Sequence, residues 1–181
     1  MLRWWRPVCR IAADQRVGIY NACYKLSLLI TLFVAAFKLG AEPFFFKQAE
    51  EQNPQKVYAR VMKFFVIIVS TMFLLVSMYI PIWKHFIGPK YWAGLRVVPI
   101  LLLANIFLGI YYNLAIWYKL TQKTLSGAYI TLIGAGITII LNYIFIPRYG
   151  YMACAWTTFL CYFIMMIICF IWGQKEYQIP Y

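Results

Sequence analysis

The side chains able to do chemistry inside a membrane are few in this chain, and they fall in two groups. Lys25 stands within an apolar run from Val17 to Phe37, with Asn21 one helical turn before it and Tyr24 next to it. Asn105, Tyr112 and Asn113 form the second group; with Gly109 and Ile116 they recur at the spacing of one helical face. In a low-dielectric site an ammonium attracts an anion such as a phosphate much more strongly than it does in water. Amide and phenol groups add hydrogen bonds and a stacking surface for a hydroxyl-rich ligand. Two plainer readings stay open at this point. Lys25 can snorkel to the headgroups along its own stem, and the Asn and Tyr side chains can serve only to hydrogen-bond helices to one another.

Catalysis has less to draw on. The acids Asp14, Glu42, Glu50, Glu51 and Glu176 all lie away from the middle of any apolar run, and the single histidine, His85, falls in a loop. No positioned base or metal-ligand cluster is visible, so a non-enzyme with no metal and no cofactor is expected. Cys9, Cys23, Cys154, Cys161 and Cys169 show no C-x-x-C spacing, and the last four read as small apolar fillers inside spans. Lys38 and Glu42 form an i,i+4 pair that can partly neutralise itself near the membrane surface, which makes Glu42 a weak proton carrier.

Membrane-spanning helices must position these residues. The chain is 64% hydrophobic and 12% charged, whereas a soluble domain has roughly 25% charged residues. At ~1.5 Å per residue the run Val17–Phe37 is long enough to cross about 30 Å of hydrocarbon. A lysine inside such a span costs about 2.5–3.5 kcal/mol on insertion scales, so it needs a bundle interior or a watery cavity. Five spans are expected, over 17–46, 64–83, 97–118, 127–146 and 152–172, with a basic, aromatic tail over 1–16 and a polar tail over 174–181. Backbone groups in lipid must be paired within their own segment, so the fold class is all-α, a polytopic transmembrane helical bundle.

Local signals refine this plan. Pro43 is expected to kink or end the first span before an aromatic anchor, Phe44 to Phe46. Residues 47–63 read as a solvent-facing loop turning at Asn53-Pro54, with room for a short surface helix after the proline. Pro147 is expected to stop the fourth span, and Gly150 to supply the freedom to begin the next. Gly127, Thr131, Gly134 and Thr138 make a stripe of small residues, read as a helix-packing surface.

Seventeen Lys and Arg against five Asp and Glu give a formal charge of +12, placed mostly between the apolar runs. That arrangement suits anionic lipid headgroups and not nucleic acid. With spans alternating, the connecting segments and tails on one side hold seven basic residues and those on the other hold eight. Without the 1–16 tail the balance is seven to four, which places the 47–63 loop and the C-terminus in the cytoplasm under the positive-inside rule.

Four stretches carry a family likeness: VGIYNACYKLS (Val17 to Ser27), AEPFFFKQA (Ala41 to Ala49), YWAGLRVVPILLLANIFLGIYYNLAIWYKLTQKT (Tyr91 to Thr124) and LNYIFIPRYGYMACAW (Leu141 to Trp156). Together, and in this order, they resemble the polysaccharide-biosynthesis flippases, exporters of lipid-linked oligosaccharides of the O-antigen type that are related to multidrug and toxin extrusion transporters. The resemblance implies a two-lobe fold of 12 to 14 helices around a central cavity, with this chain supplying most of the second six-helix lobe. It further implies that the first lobe and the first helix of the second are absent, as in a truncated gene product. The expected function is then that of a partial flippase, inactive alone, moving a lipid-linked sugar across the bacterial inner membrane. Lys25, Asn21, Tyr24, Asn105, Tyr112 and Asn113 would line the pathway. The expected partners are the bilayer, the lipid-linked oligosaccharide, and a separate first lobe or other polysaccharide-assembly proteins. The alternative is a non-catalytic assembly subunit that pairs with a separate lobe.

Overall fold

The computed structural model describes residues 15–49, 54–82, 92, 95–177 and 179; for 15–26, 28, 29, 148 and 151 the backbone alone is described. Among the described residues there are six helices and no strand: α1 (Gln15–Gln48), α2 (Pro54–Met78), α3 (Val98–Leu114), α4 (Ile116–Leu120), α5 (Thr124–Tyr149) and α6 (Tyr151–Glu176). Four helical segments, Pro54–Met78, Leu95–Leu120, Thr124–Pro147 and Met152–Glu176, are long and apolar enough to cross a membrane. The remaining expected span falls on α1, whose 34 residues reach about 51 Å.

α3 is the central helix. It packs against α6, α1 and α2, while α5 packs on α6 and α4. The inner face of α3 buries Val98, Leu102 and Ile106 with Ile30 and Val34 of α1 and Phe65 and Val69 of α2. A second core cluster joins Leu114 of α3 and Trp117 of α4 to Ile130 of α5 and Cys161, Met165 and Cys169 of α6. The outward faces are apolar as well. Phe64, Ile67, Leu74 and Leu75 of α2 and Leu132, Ile139, Ile140 and Tyr143 of α5 are exposed. Two apolar faces on one helix are what lipid on the outside and protein on the inside require. The chain is an all-helical, multi-pass membrane protein.

Two helix stops expected at prolines, the end of the first span at Pro43 and of the fourth at Pro147, are corrected. α1 neither ends nor is interrupted at Pro43, but runs on to Gln48, and α5 passes through Pro147 to Tyr149. Proline is tolerated in membrane helices because local adjustments and neighbouring groups re-satisfy the freed carbonyl. At Pro54 the missing N–H falls at the first helical position, where it would be unpaired anyway. α2 therefore starts there: the helix expected after Pro54 is present, but residues 54–63 are the opening turns of α2 and not a short piece within a loop. Tyr58 in those turns is buried; its hydroxyl donates to the Phe45 carbonyl at 3.0 Å, and its ring meets that of Phe45 edge to face. Phe45 thus faces inward, while Phe44 and Phe46 stay exposed as an anchor would.

Two other local readings hold. Gly150 turns the chain between α5 and α6 at φ 61°, a left-handed conformation that suits glycine. The third span pauses at Ala115, yet the Ala115 amide still donates to the Tyr111 carbonyl at 2.8 Å, so α3 and α4 make one continuous crossing.

The small-residue stripe is a packing face through its glycines. A Cβ on Gly134 would lie 2.5 Å from Met165 Sδ, and one on Gly127 would lie 2.8 Å from the Tyr118 ring. Thr131 and Thr138 flank this contact and return their hydroxyls to the carbonyls of Gly127 and Gly134. Gly134→Leu should lower the thermal midpoint of the purified protein by several degrees, since overpacking costs about 1–3 kcal/mol. A Gly134→Leu protein as stable as its parent would mean that α5 and α6 do not meet here.

A candidate charged cleft at the meeting of three helices

The polar face expected on α3 is present, and it is turned inward. Asn105, Gly109, Asn113 and Ile116 are buried, and Tyr112 is half-buried beside them. Gly109 is the point of closest approach, because a Cβ there would lie 2.7 Å from Phe65 Cζ of α2 and 3.0 Å from Val34 Cγ2 of α1. Its lack of a side chain lets three helices converge and leaves a narrow cleft between Gly109, Tyr112 and Asn113 on one wall and Val34, Lys38 and Glu42 on the other. The enclosed space is about 10 Å³, near the minimum for one water molecule.

Charge gathers at this cleft. Lys38 extends its ammonium over the Tyr112 ring, 4.4 Å from the centroid, the geometry of a cation–π contact. Its Nζ is also 3.9 Å from Glu42 Oε1. The nearer partner of that oxygen is Lys119 of α4, which donates to it directly. The i,i+4 pair expected from sequence is therefore only part of a Lys38–Glu42–Lys119 cluster with a formal charge of +1. Asn113 donates through Nδ2 to the Gly109 carbonyl at 3.2 Å, while its Oδ1 is buried without a partner among the described residues. A buried acceptor without a partner is unusual, since a buried carbonyl normally finds a donor.

Position along the helices decides what these charges meet. Lys38 lies ten residues before the end of α1, or about 15 Å along its axis. Helices α5 and α6, at 26 residues each, are about 39 Å long, so they overhang a ~30 Å hydrocarbon layer by only a few ångströms at each end. Yet Lys119 lies one residue from the end of the Leu95–Leu120 crossing, and Ala41 shares a core cluster with Tyr177 and Ile179, beyond the end of α6. The cluster therefore sits at the end of the bundle, where α1 runs on past its neighbours, and about a third of the Lys38 side chain remains open.

The same end of the bundle is basic outside the cleft. Lys47, Lys56, Arg60, Lys63, Lys123 and Lys175 lie at or near the ends of α1, α2, α5 and α6 that meet there. Lys123 pairs with Glu176 across the mouth of α5 and α6. Among the described residues no three His, Cys, Asp or Glu side chains come together as a metal site would require.

Of the residues singled out in sequence, the cleft gathers Tyr112 and Asn113. Asn105 lies two turns further along α3 and does not line it. Asn21, Tyr24 and Lys25 fall on the α1 helix, but their side chains lie outside the described residues. Sequence reasoning missed Lys119 and undervalued Lys38. The signal for Lys38 was available in the charge pattern, because it lies thirteen residues after Lys25 on the same long helix. Lys119 gave none, since its partner lies 77 positions away.

Fold and site together define a polytopic helical membrane protein with a charged, partly polar cleft inside its bundle. No family model, curated protein or solved structure matches the chain.

Proposed function

We propose that this bundle is one lobe of an exporter that moves an anionic, lipid-linked sugar across the bacterial inner membrane, with its basic end and C-terminus in the cytoplasm. The observation that carries this reading is the Lys38–Glu42–Lys119 cluster at the basic end of the bundle, with Tyr112 and Asn113 as its polar wall. An excess of positive charge in a partly buried cleft attracts a phosphate more strongly than the same charge does in open water. Asn113 Oδ1 offers an acceptor to a sugar hydroxyl. The seven-to-four excess of basic residues supports the orientation.

The test uses a complete transporter that carries this lobe. Lys25→Arg should retain some export, whereas the neutral and nearly isosteric Lys25→Met should lose it with membrane insertion unimpaired, since removing the charge also removes the insertion penalty. Full export by Lys25→Met would take Lys25 out of the pathway. The alternative role, a non-catalytic assembly subunit, requires that no variant of Lys25, Lys38 or Lys119 alter export while the lobe still pairs with its partner.

A further inference from the structure

We infer that Glu42 is the resident occupant of an anion seat, a carboxylate that holds the place between Lys38 and Lys119 until a phosphate displaces it. The inference rests on the transporter reading above and assigns that site its ligand chemistry and its built-in competitor. A single oxygen, Glu42 Oε1, faces both ammonium groups, one from its own helix and one from α4. Two like charges are thereby held around one point, which is the arrangement that a tetrahedral, multiply charged anion needs. Glu42 supplies one negative charge against two positive ones, so the cluster stays under-neutralised. A phosphate monoester or diphosphate brings about two or more negative charges and three or more acceptor oxygens, and it balances the seat more completely.

Asn113 narrows the ligand class. Its Oδ1 is a buried acceptor without a partner among the described residues; it cannot bind a phosphate oxygen, but once the cleft widens it can accept from a hydroxyl on the group that the phosphate carries. A phosphorylated polyol therefore matches the wall better than a bare phosphate. The anion has an approach, because about a third of the Glu42 side chain is exposed, but it must widen a cleft whose space of about 10 Å³ is near the minimum for one water. Since the Glu42–Lys119 contact ties α1 to α4, the incoming anion would also undo a tie between those helices.

The test measures phosphate binding by the full chain in nanodiscs of zwitterionic phosphatidylcholine. Phosphatidate doped into the disc is the lipid-borne probe, and inorganic diphosphate is the soluble one. Neutral Glu42→Gln should bind about tenfold or more tightly than the parent, and Glu42→Asp, whose carboxylate is withdrawn by one methylene, should fall between. Adding Lys119→Met to Glu42→Gln should abolish the gain. If Glu42→Gln does not accumulate in membranes, the parent-to-Asp comparison carries the same test. Parent protein that binds phosphatidate, with no tightening in either Glu42 variant, would overturn the seat while leaving the transporter reading standing. Tightening confined to diphosphate supports the seat and overturns the lipid-borne cargo. Failure of every form to bind either probe overturns both.

Discussion

Gly109→Leu should prevent the bundle from closing, with loss of most folded protein from the membrane. The position lies where α1, α2 and α3 converge, and even a Cβ would approach Phe65 Cζ to 2.7 Å and Val34 Cγ2 to 3.0 Å. The Phe65 ring has little room to step aside, because it is almost wholly buried and packs against the rings of Phe33 and Phe37. Overpacking a tight core costs about 1–3 kcal/mol, and a branched side chain forced between three helices belongs at or above the top of that range. In lipid the loss is sharper than the number suggests, since close backbone approach supplies much of the drive for helix association. Gly109→Ala should be milder but still measurable. Thermal unfolding in detergent, followed through tryptophan fluorescence, checks both; a Gly109→Leu protein with the parent's midpoint would mean that the three helices do not meet here.

The second large effect concerns charge. Replacing Lys38 and Lys119 together by Met leaves the Glu42 carboxylate in the bundle with neither ammonium partner. Breaking a fully buried pair from one side costs about 3–5 kcal/mol. Glu42 is about one-third exposed, so solvent screening reduces the expected loss to roughly 2 kcal/mol. Adding Glu42→Gln should recover most of it, because removing every member of a charge cluster is often near neutral. The order of stability is therefore the parent, then the neutral triple variant close beside it, then the Lys38→Met/Lys119→Met double variant well below. Equal midpoints for all three would mean that Glu42 is hydrated like a surface carboxylate.

The fold class was legible because apolar runs of about twenty residues leave the backbone one solution in lipid. The inward face of α3 was legible too, since Asn105, Gly109, Asn113 and Ile116 follow helical spacing and all four are buried. Helix ends were harder to read. Pro43, Pro54 and Pro147 look alike as breakers, but two lie inside helices and one begins a helix, and only position within the helix decides which. The site was half legible for a related reason. Tyr112 and Asn113 announce themselves as polar groups in an apolar run, whereas Lys119 looks like an interfacial anchor until the packing of α4 against α1 brings it to Glu42. Periodicity reports a face, and only tertiary contact reports what that face meets.

The most direct measurement is the lipid that the chain carries out of a membrane in which lipid-linked sugars are made. Native mass spectrometry of the full chain, purified in mild detergent, should detect a lipid-linked sugar phosphate held through exchange into zwitterionic lipid. The Lys38→Met/Lys119→Met/Glu42→Gln variant, folded but without the cluster's charge, should have lost it. Bulk phospholipid alone on the parent chain, with the same spectrum from the triple variant, would contradict a cleft built for an anionic cargo.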